Sequence, residues 1–300
     1  MELVEKINRL KKEKNAVILA HNYQIAEVQD IADYVGDSLG LSIQASKTTA
    51  DVIVFCGVYF MAETAKILSP KKIVLIPDKK AGCPMADMIT AEELRKLKRE
   101  HPLAKVLCYV NTTADVKAEC DVCCTSGNAE RIVREAFRNG DEIIFAPDQY
   151  LAHYISTQVG REFISWKGYC PTHVKILPED IAAKRALHKG AEVIVHPECT
   201  PAVTGVADKV LSTEGMCRYV KASQAKEFII GTEVGILHRL KKENPDKCFY
   251  PASEKAVCPN MKLTTLEKVL WAFEEMQHEV TVPPDIIEKA KKSLRIMLNH

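Results

Sequence analysis

The stretch Val17-Ile-Leu-Ala-His-Asn22 begins with four apolar residues and ends in two polar ones, and a similar apolar run with a polar end returns twice further along the chain. Val106-Leu-Cys-Tyr-Val-Asn111 follows after 89 residues, and Val193-Ile-Val-His-Pro-Glu198 after another 87. Short apolar runs of this kind are typical of buried β-strands. We therefore expect three equivalent strands, each ending in polar side chains.

Further features keep the same order around each of these strands. A second short strand leads to a hydroxyl residue, a third apolar strand precedes a helix, and a fourth short strand precedes a Cys-Pro pair. The hydroxyl residues are Ser38, Ser126 and Thr213, and the pairs begin at Cys83, Cys170 and Cys258. The cysteines are 87 and 88 residues apart. Chance does not plausibly produce four coincidences in one order, so the chain is predicted to contain three copies of one unit.

Strands that are apolar through their whole length and alternate with helices indicate parallel sheets with helices on both faces. The predicted fold class is therefore α/β, with three similar three-layer α/β/α units packed around a pseudo-threefold axis. The predicted units are residues 1–83, joined by C-terminal helices at 260–300, then residues 84–170 and residues 171–259.

The composition is that of an ordinary globular protein, with 47% apolar and 27% charged residues in 300. A net charge of +1 gives no field that would favour nucleic acid or a membrane surface as a partner. The charged start of the chain lacks the apolar core of a signal peptide, and no run of about 18 apolar residues occurs. The sequence therefore predicts a cytoplasmic protein.

Eleven cysteines are many for such a chain, and disulfides are the usual explanation only in small secreted proteins. Metal or cluster ligation, together with buried apolar cysteines, is the better explanation, although an origin in a hyperthermophile would reopen the disulfide option. Cys120, Cys123 and Cys124 are the densest group, but their counterparts in the other copies are apolar. We expect these three to be core residues, like Cys56.

The three Cys-Pro pairs are the predicted metal site, because pseudo-threefold packing would bring the ends of the three copies together. Thiolates from Cys83, Cys170 and Cys258 could then ligate a metal or an iron–sulfur cluster. Three thiolates on a 4Fe–4S cluster leave one iron open to act as a Lewis acid. The alternative is that each proline only starts the next helix, which explains the proline but not the cysteine.

The predicted ligand site lies at the carboxyl ends of the strands, where ligands bind in parallel α/β sheets. The polar residues there are His21, Asn22, Tyr23, Tyr109, Asn111, His196 and Glu198. Ser38, Ser126 and Thr213 could donate to an anion beside helix N-termini. Simple capping of strands and helices is the alternative for each residue alone. His173, three residues after Cys170, could bind an anion or transfer a proton.

These residues stand in motifs through which the chain resembles the quinolinate synthase family over essentially its whole length. The motifs are Ala20-His-Asn-Tyr-Gln24, Ile31-Ala-Asp-Tyr-Val-Gly-Asp-Ser38, Phe60-Met-Ala-Glu63, Cys83-Pro-Met-Ala86, Tyr109-Val-Asn111, Thr125-Ser126, His196-Pro-Glu-Cys199, Gly231-Thr-Glu233 and Asn260-Met-Lys262. The resemblance implies a pseudo-threefold fold and a 4Fe–4S cluster held by the three cysteines. It also implies condensation of iminoaspartate with dihydroxyacetone phosphate to quinolinate, phosphate and water in NAD biosynthesis.

The resemblance also implies the site residues and the functional partners. The substrate would be surrounded by His21, Ser38, Tyr109, Asn111, Ser126, His196, Glu198 and Thr213, with Tyr23 and His173 close by. Glu198 is the expected general acid or base, because it is the only carboxylate in the three strand-end sets, and Tyr109 could relay protons. Tyr23 and His173 complete the expected catalytic set. L-aspartate oxidase or aspartate dehydrogenase would supply the iminoaspartate.

Two other classes remain open. An iron–sulfur hydro-lyase acting on a small carboxylic acid also uses three cysteines, but its set includes a close pair. A non-catalytic cluster sensor would find its best support in Cys120, Cys123 and Cys124. A nicotinamide-dependent dehydrogenase is disfavoured, because no glycine-rich fingerprint follows the first strand.

Overall fold

The computed structural model describes residues 2–300, and its strands form three sheets of four strands each. The first sheet contains β1 (Ala16–His21), β2 (Tyr34–Gly36), β3 (Val52–Cys56) and β4 (Ile73–Leu75). The second contains β5 (Lys105–Tyr109), β6 (Val122–Cys124), β7 (Ile143–Ala146) and β8 (Ile164–Ser165). The third contains β9 (Glu192–Val195), β10 (Lys209–Val210), β11 (Glu227–Gly231) and β12 (Cys248–Pro251).

Fourteen α-helices connect and cover these strands in the described chain. Up to the second sheet they are α1 (Glu2–Glu13), α2 (Ala26–Ile31), α3 (Ser38–Lys47), α4 (Tyr59–Leu68) and α5 (Ala91–Glu100). Within and after that sheet they are α6 (Ala114–Ala118), α7 (Ala129–Ala136), α8 (Gln149–Val159) and α9 (Pro178–Leu187). The remainder are α10 (Pro201–Thr204), α11 (Thr213–Ala222), α12 (Ile236–Glu243), α13 (Leu266–Glu275) and α14 (Pro284–Asn299).

The three sheets share one topology, in which every strand pair is parallel. The strand orders are β2-β1-β3-β4, β6-β5-β7-β8 and β10-β9-β11-β12. Helices lie on both faces, and all five residues of β3 are buried. The predicted fold class of three similar α/β/α units is confirmed, while the exact unit boundaries stay a prediction.

The register of the sheets corrects the alignment of the copies. In each sheet the first strand pairs with the third strand, and the last residue pair marks the same place in all three copies. These last pairs are Ala20 with Cys56, Cys108 with Ala146, and Val195 with Gly231. His21, Tyr109 and His196 are therefore equivalent, and so are Tyr23, Asn111 and Glu198. Matching Asn22 with Asn111 was wrong by one residue, because an asparagine follows both apolar runs and nothing in the sequence marks the pairing partner.

The C-terminal helices close the molecule on its first two units. Helix α13 packs against α1, and α14 packs against α6 and β6 and also reaches α4. A one-turn helix follows each Cys-Pro pair, at Ala86–Met88, His173–Lys175 and Met261–Leu263. Among residues 2–300, no helix combines the length and the apolar character needed to cross a membrane.

Candidate active site

A single cavity lies where the carboxyl ends of the three sheets meet, with about 690 Å³ of space including its mouth. Asn22 lies outside the cavity wall, is fully buried and donates through Nδ2 to Oγ1 of Thr213. All other residues that the sequence placed in the cluster or substrate site line the cavity. They are His21, Tyr23, Ser38, Cys83, Tyr109, Asn111, Ser126, Cys170, His173, His196, Glu198, Thr213 and Cys258. Lysine and arginine are absent from the cavity wall formed by the described residues. The cavity therefore combines thiols, imidazoles and hydroxyls with three carboxylates, those of Asp37, Glu198 and Glu233.

Two rows of side chains rise from the ends of β1, β5 and β9. The first row is His21, Tyr109 and His196, and the second row, two residues further on, is Tyr23, Asn111 and Glu198. The chain turns immediately after each strand, and each strand end contributes one residue to each row. The backbone repeats while the side chains differ, and one asymmetric site results from three similar parts.

His21 and His196 have the same local geometry. Nδ1 of His21 accepts the N–H of Tyr23 at 3.2 Å, and Nδ1 of His196 accepts the N–H of Glu198 at 3.3 Å. Burial lowers the pKa of each imidazole to about 3, so both rings are neutral. An acceptor at Nδ1 leaves the hydrogen on Nε2, which in His196 lies 3.1 Å from Oγ of Ser126. The Ser126 hydroxyl thus accepts from His196 and keeps its own hydrogen for a ligand.

Glu198 is the centre of the buried polar network. Tyr109 donates its hydroxyl to Oε1 at 2.5 Å, and Nδ1 of His173 lies 2.7 Å from Oε2 without the alignment of a hydrogen bond. Burial opposes ionisation of Glu198, but the nearby ring of His173 and the hydrogen bond from Tyr109 hold its pKa below the usual value. Burial raises the pKa of Tyr109 well above its usual range, and the negative charge of Glu198 raises it further. An ionised carboxylate therefore lies beside a protonated phenol.

Tyr23 joins this network through Thr232, at the end of β11. The Thr232 hydroxyl is 2.6 Å from Oη of Tyr23 and 2.8 Å from Nε2 of His173. Burial raises the pKa of Tyr23 well above its usual range, with Glu198 adding to the shift. A continuous chain of polar groups thus runs from Tyr23 through Thr232 and His173 to Glu198.

The three hydroxyl residues lie at or near the starts of helices but are not the caps. Ser38 and Thr213 are the first residues of α3 and α11, whose caps are Asp37 and Ser212. Ser126 lies just before α7, and Thr213 accepts a hydrogen bond from Nδ2 of Asn22 at 3.0 Å. Capping is therefore not the role of Ser38 or Thr213. Helix N-termini attract anions, so this wall suits carboxylates or phosphate.

The three cysteines are presented by equivalent loops. In each loop the sulfur faces the backbone N–H groups two and three residues further on: Met85 and Ala86 for Cys83, Thr172 and His173 for Cys170, and Asn260 and Met261 for Cys258. Burial nevertheless raises the pKa of all three thiols, that of Cys83 to about 12. A thiolate here needs a cation as well as the N–H donors, so this donor set fits metal ligation.

A tighter set of potential ligands lies beside Cys170. Its sulfur, a ring nitrogen of His173 and a carboxylate oxygen of Glu198 all lie within 4.8 Å of one another. Among the described residues, no other three cysteine, histidine or carboxylate side chains bring their ligand atoms this close together. The three cysteine sulfurs do not form a set of this size, so their spacing is wider than a single ion requires.

Some cavity residues carried no role in the sequence interpretation. Phe60, Met61 and Glu233 line the cavity, and Thr232 links two of its rings. All four lie in Phe60-Met-Ala-Glu63 or Gly231-Thr-Glu233, so the motifs were visible although the roles were not. Conversely, Cys123 and Cys124 are fully buried and Cys120 is half-buried, all away from the cavity wall, as expected of core residues. Cys56 is also fully buried.

The fold and the cavity define an α/β enzyme whose active site combines three thiols, neutral imidazoles and an ionised carboxylate. A family model described as "Quinolinate synthetase A protein" matches residues 5–299, and the chain belongs to that family.

Curated relatives named quinolinate synthase are similar over nearly their whole length. The protein of Dehalococcoides mccartyi strain CBDB1 is 56% identical over 293 residues, covering 98% of this chain and 96% of the relative. That of Thermodesulfovibrio yellowstonii is 55% identical, with 98% and 97% covered. That of Methanosarcina barkeri is 53% identical, with 99% and 97% covered. The resemblance stated from the motifs is thereby confirmed, and small molecules are the expected substrates.

Proposed function

We propose that this chain condenses iminoaspartate with dihydroxyacetone phosphate to form quinolinate, releasing one phosphate and two waters, in NAD biosynthesis. The observation that carries the proposal is the meeting of three equivalent cysteine loops with the Glu198 network at one cavity. Family membership supports the same reaction. L-aspartate oxidase or aspartate dehydrogenase would supply the imine.

Cys83, Cys170 and Cys258 would hold a 4Fe–4S cluster with one open iron. Their sulfurs line the same cavity but do not lie within 4.8 Å of one another, a spacing that favours a body larger than one ion. The N–H groups facing each sulfur suit thiolates, and these thiolates would share one cluster. When bound, such a cluster supplies a Lewis acid that polarises a substrate oxygen and assists the loss of water.

The substrates carry carboxylates and a phosphate, which the cavity would bind with neutral donors. Hydroxyls of Ser38 and Thr213 lie at the starts of α3 and α11, where helix amides and dipoles favour anions. The Nε2–H of His21 adds a further donor, because its Nδ1 is occupied by the Tyr23 N–H. Oδ1 of Asn111 is buried without a partner among the described residues and is free to accept from an imine N–H or a hydroxyl.

Proton transfer would centre on Glu198. Its ionised carboxylate can remove a proton from substrate carbon, and His173 at 2.7 Å can share that proton. The protonated phenol of Tyr109 can donate to a leaving hydroxyl, since burial keeps its proton in place. Tyr23 is joined to His173 through Thr232, which offers a route by which protons return to the substrate.

The test is quinolinate formation by anaerobically purified protein. L-aspartate oxidase would generate iminoaspartate in the assay, dihydroxyacetone phosphate would be added, and quinolinate would be measured by chromatography. Iron-loaded wild type that forms no quinolinate would overturn the proposed reaction. Dehydration of a small hydroxy acid without the triose would instead indicate a hydro-lyase.

Glu198→Gln tests the acid–base assignment within that assay. The amide keeps the shape but cannot accept a proton, so kcat should fall by about a hundredfold or more while iron content is unchanged. A variant that retains its iron and the wild-type kcat would show that Glu198 is not the acid or base.

A further inference from the structure

Glu233 and Lys262 form an ion pair beside the cavity that the mechanism above does not use. Glu233 follows β11 and is fully buried, and Lys262 lies in the one-turn helix after Cys258. Nζ of Lys262 is 2.9 Å from Oε1 and 3.1 Å from Oε2 of Glu233. The side chain of Lys262 is 23% exposed, so both charges lie largely out of water.

The pair holds two backbone segments from different units. Oε1 of Glu233 accepts the N–H of Cys258 at 3.1 Å, and Oε2 accepts the N–H of Gly235 at 2.7 Å. Nζ of Lys262 donates to the carbonyl oxygen of Tyr23 at 2.6 Å. One carboxylate and one ammonium therefore connect the cysteine loop of the third unit to the loop that carries Tyr23 in the first.

The packing around the pair leaves no room for a side chain at residue 235. A Cβ atom on Gly235 would lie 2.8 Å from Oε2 of Glu233, from Nζ of Lys262 and from the carbonyl oxygen of Tyr23. Contacts that short do not occur, so the glycine permits the two segments to approach.

The equivalent positions of the other units do not repeat the pair. Val58 and Asp148 correspond to Glu233, and Asp87 and Val174 correspond to Lys262, by the register of the third strands and the spacing from the cysteines. Oδ2 of Asp148 has no hydrogen-bond partner among the described residues. The fold therefore does not need such a pair in every unit, and its place beside Cys258 and Tyr23 requires a local reason.

We propose that Glu233 and Lys262 are positioning residues that fix the Cys258 sulfur and the Tyr23 phenol relative to each other across the first and third units. This inference rests on the proposed function, in which Cys258 ligates the cluster and Tyr23 belongs to the proton network. The pair suits this role because removal of one partner leaves a buried charge uncompensated, which forces the loop to rearrange.

The test compares Lys262→Met with Lys268→Met. Lys268 is a matched control: its side chain is 29% exposed, its Nζ is 2.6 Å from Oδ2 of Asp78, and it donates to the carbonyl oxygen of Leu263 at 2.8 Å. It lines no part of the cavity. Glu233→Gln is a second variant that keeps the shape and an acceptor for Cys258, in case Lys262→Met does not fold.

Two measurements need no turnover. The first is the rate at which iron passes from the anaerobic holoprotein to a chelator. The second is alkylation of Cys258 relative to Cys83 in the iron-free chain, measured by peptide mass spectrometry. Lys262→Met and Glu233→Gln should release iron about tenfold faster than wild type and label Cys258 several-fold faster, while Lys268→Met behaves as wild type. Their kcat should fall while KM changes little.

Wild-type rates of iron release and of Cys258 labelling in both pair variants would overturn the inference and leave the proposed function standing. A wild type without iron and without quinolinate formation would overturn the proposed function. If the wild type held no iron and Lys262→Met nevertheless increased the labelling of Cys258, the pair would position the loop but not a cluster ligand. The inference as stated would then fail.

Discussion

The central cavity holds three cysteines and the thiol-rich core of the second unit holds four, Cys108, Cys120, Cys123 and Cys124, yet the hydrogen-bonding environments of the two groups differ. In the cavity, Cys83, Cys170 and Cys258 each face backbone N–H donors. In the core, Cys120 donates to the carbonyl oxygen of Val116 at 2.9 Å, and Cys123 donates to Oγ of Ser293 at 3.3 Å.

A sulfur that accepts hydrogen bonds is suited to be a thiolate, and one that donates them must be a thiol. Only the first arrangement suits a metal ligand. The difference teaches that the density of cysteines in the sequence does not mark the metal site, whereas recurrence of one cysteine in every unit does. The sensor interpretation, which relied on the dense group, loses its main support.

The largest predicted difference in quinolinate formation is between Cys170→Ala and Cys123→Ala. Loss of a cluster ligand should lower quinolinate formation by at least about a hundredfold, because the Lewis acid and its supporting thiolate are both lost. Cys123→Ala should retain turnover within about twofold. Anaerobic assays at equal protein concentration would check this, and similar losses in both variants would break the distinction between the two regions.

The next effect contrasts two buried hydroxyls, Thr232 in the cavity network and Ser293 in the core. Thr232→Val should lower kcat about tenfold or more, because Tyr23 and His173 lose their common partner, and Thr232→Ser should restore most of it. Ser293→Ala should lower the unfolding midpoint and leave kcat unchanged. Unchanged kcat in Thr232→Val would remove Thr232 from the proton network.

A third prediction concerns pH and the desolvated cavity histidines. Because burial lowers the folded-state pKa of His21 and His196 to about 3, only the unfolded chain binds these protons between about pH 3 and 6.5. The free energy of unfolding should therefore rise with pH across that window, by up to about 1.4 kcal/mol per pH unit for each ring.

His21→Gln should make this dependence shallower in urea unfolding of the iron-free chain between pH 5 and 6, with His153→Gln at an exposed position as the control. If the slope in His21→Gln matched that of wild type, His21 would be charged in the folded state, and its assigned role as a neutral Nε2–H donor would be wrong.

The smallest predicted effect is a loss of stability when a thiol is removed from the core of the second unit. Cys123→Ala removes a fully buried sulfur and its contact with Ser293, which should lower the free energy of unfolding by about 1 kcal/mol. Urea titration would measure this loss. A change in iron content or in the visible spectrum of this variant would mean that the second-unit thiols take part in the cofactor site.

Much of the fold could be predicted from the sequence, because each strand is short, mainly apolar and followed by polar residues at the same place in every copy. The cavity residues followed from a general property of parallel sheets, that strand ends of one polarity meet at one edge. The register at the end of β1 could not be predicted, since Asn22 and Asn111 look alike and only the pairing of Ala20 with Cys56 distinguishes their places.

The contacts between units also lay beyond the sequence. Thr232 and Lys262 are each hydrogen-bonded to Tyr23, although they are 209 and 239 residues away from it in the sequence. Such contacts depend on how loops of separate units pack, which no local pattern records. Likewise, the caps of α3 and α11 are Asp37 and Ser212 rather than the neighbouring hydroxyls, a distinction of one residue in where each helix begins.

The most direct test of the central claim is iron and acid-labile sulfide analysis of anaerobically purified wild type, Cys83→Ala and Cys123→Ala. Wild type and Cys123→Ala should be coloured and contain about four iron and four sulfide per chain, and Cys83→Ala should lose most of both. A colourless wild type, or an unchanged cluster in Cys83→Ala, would contradict the account.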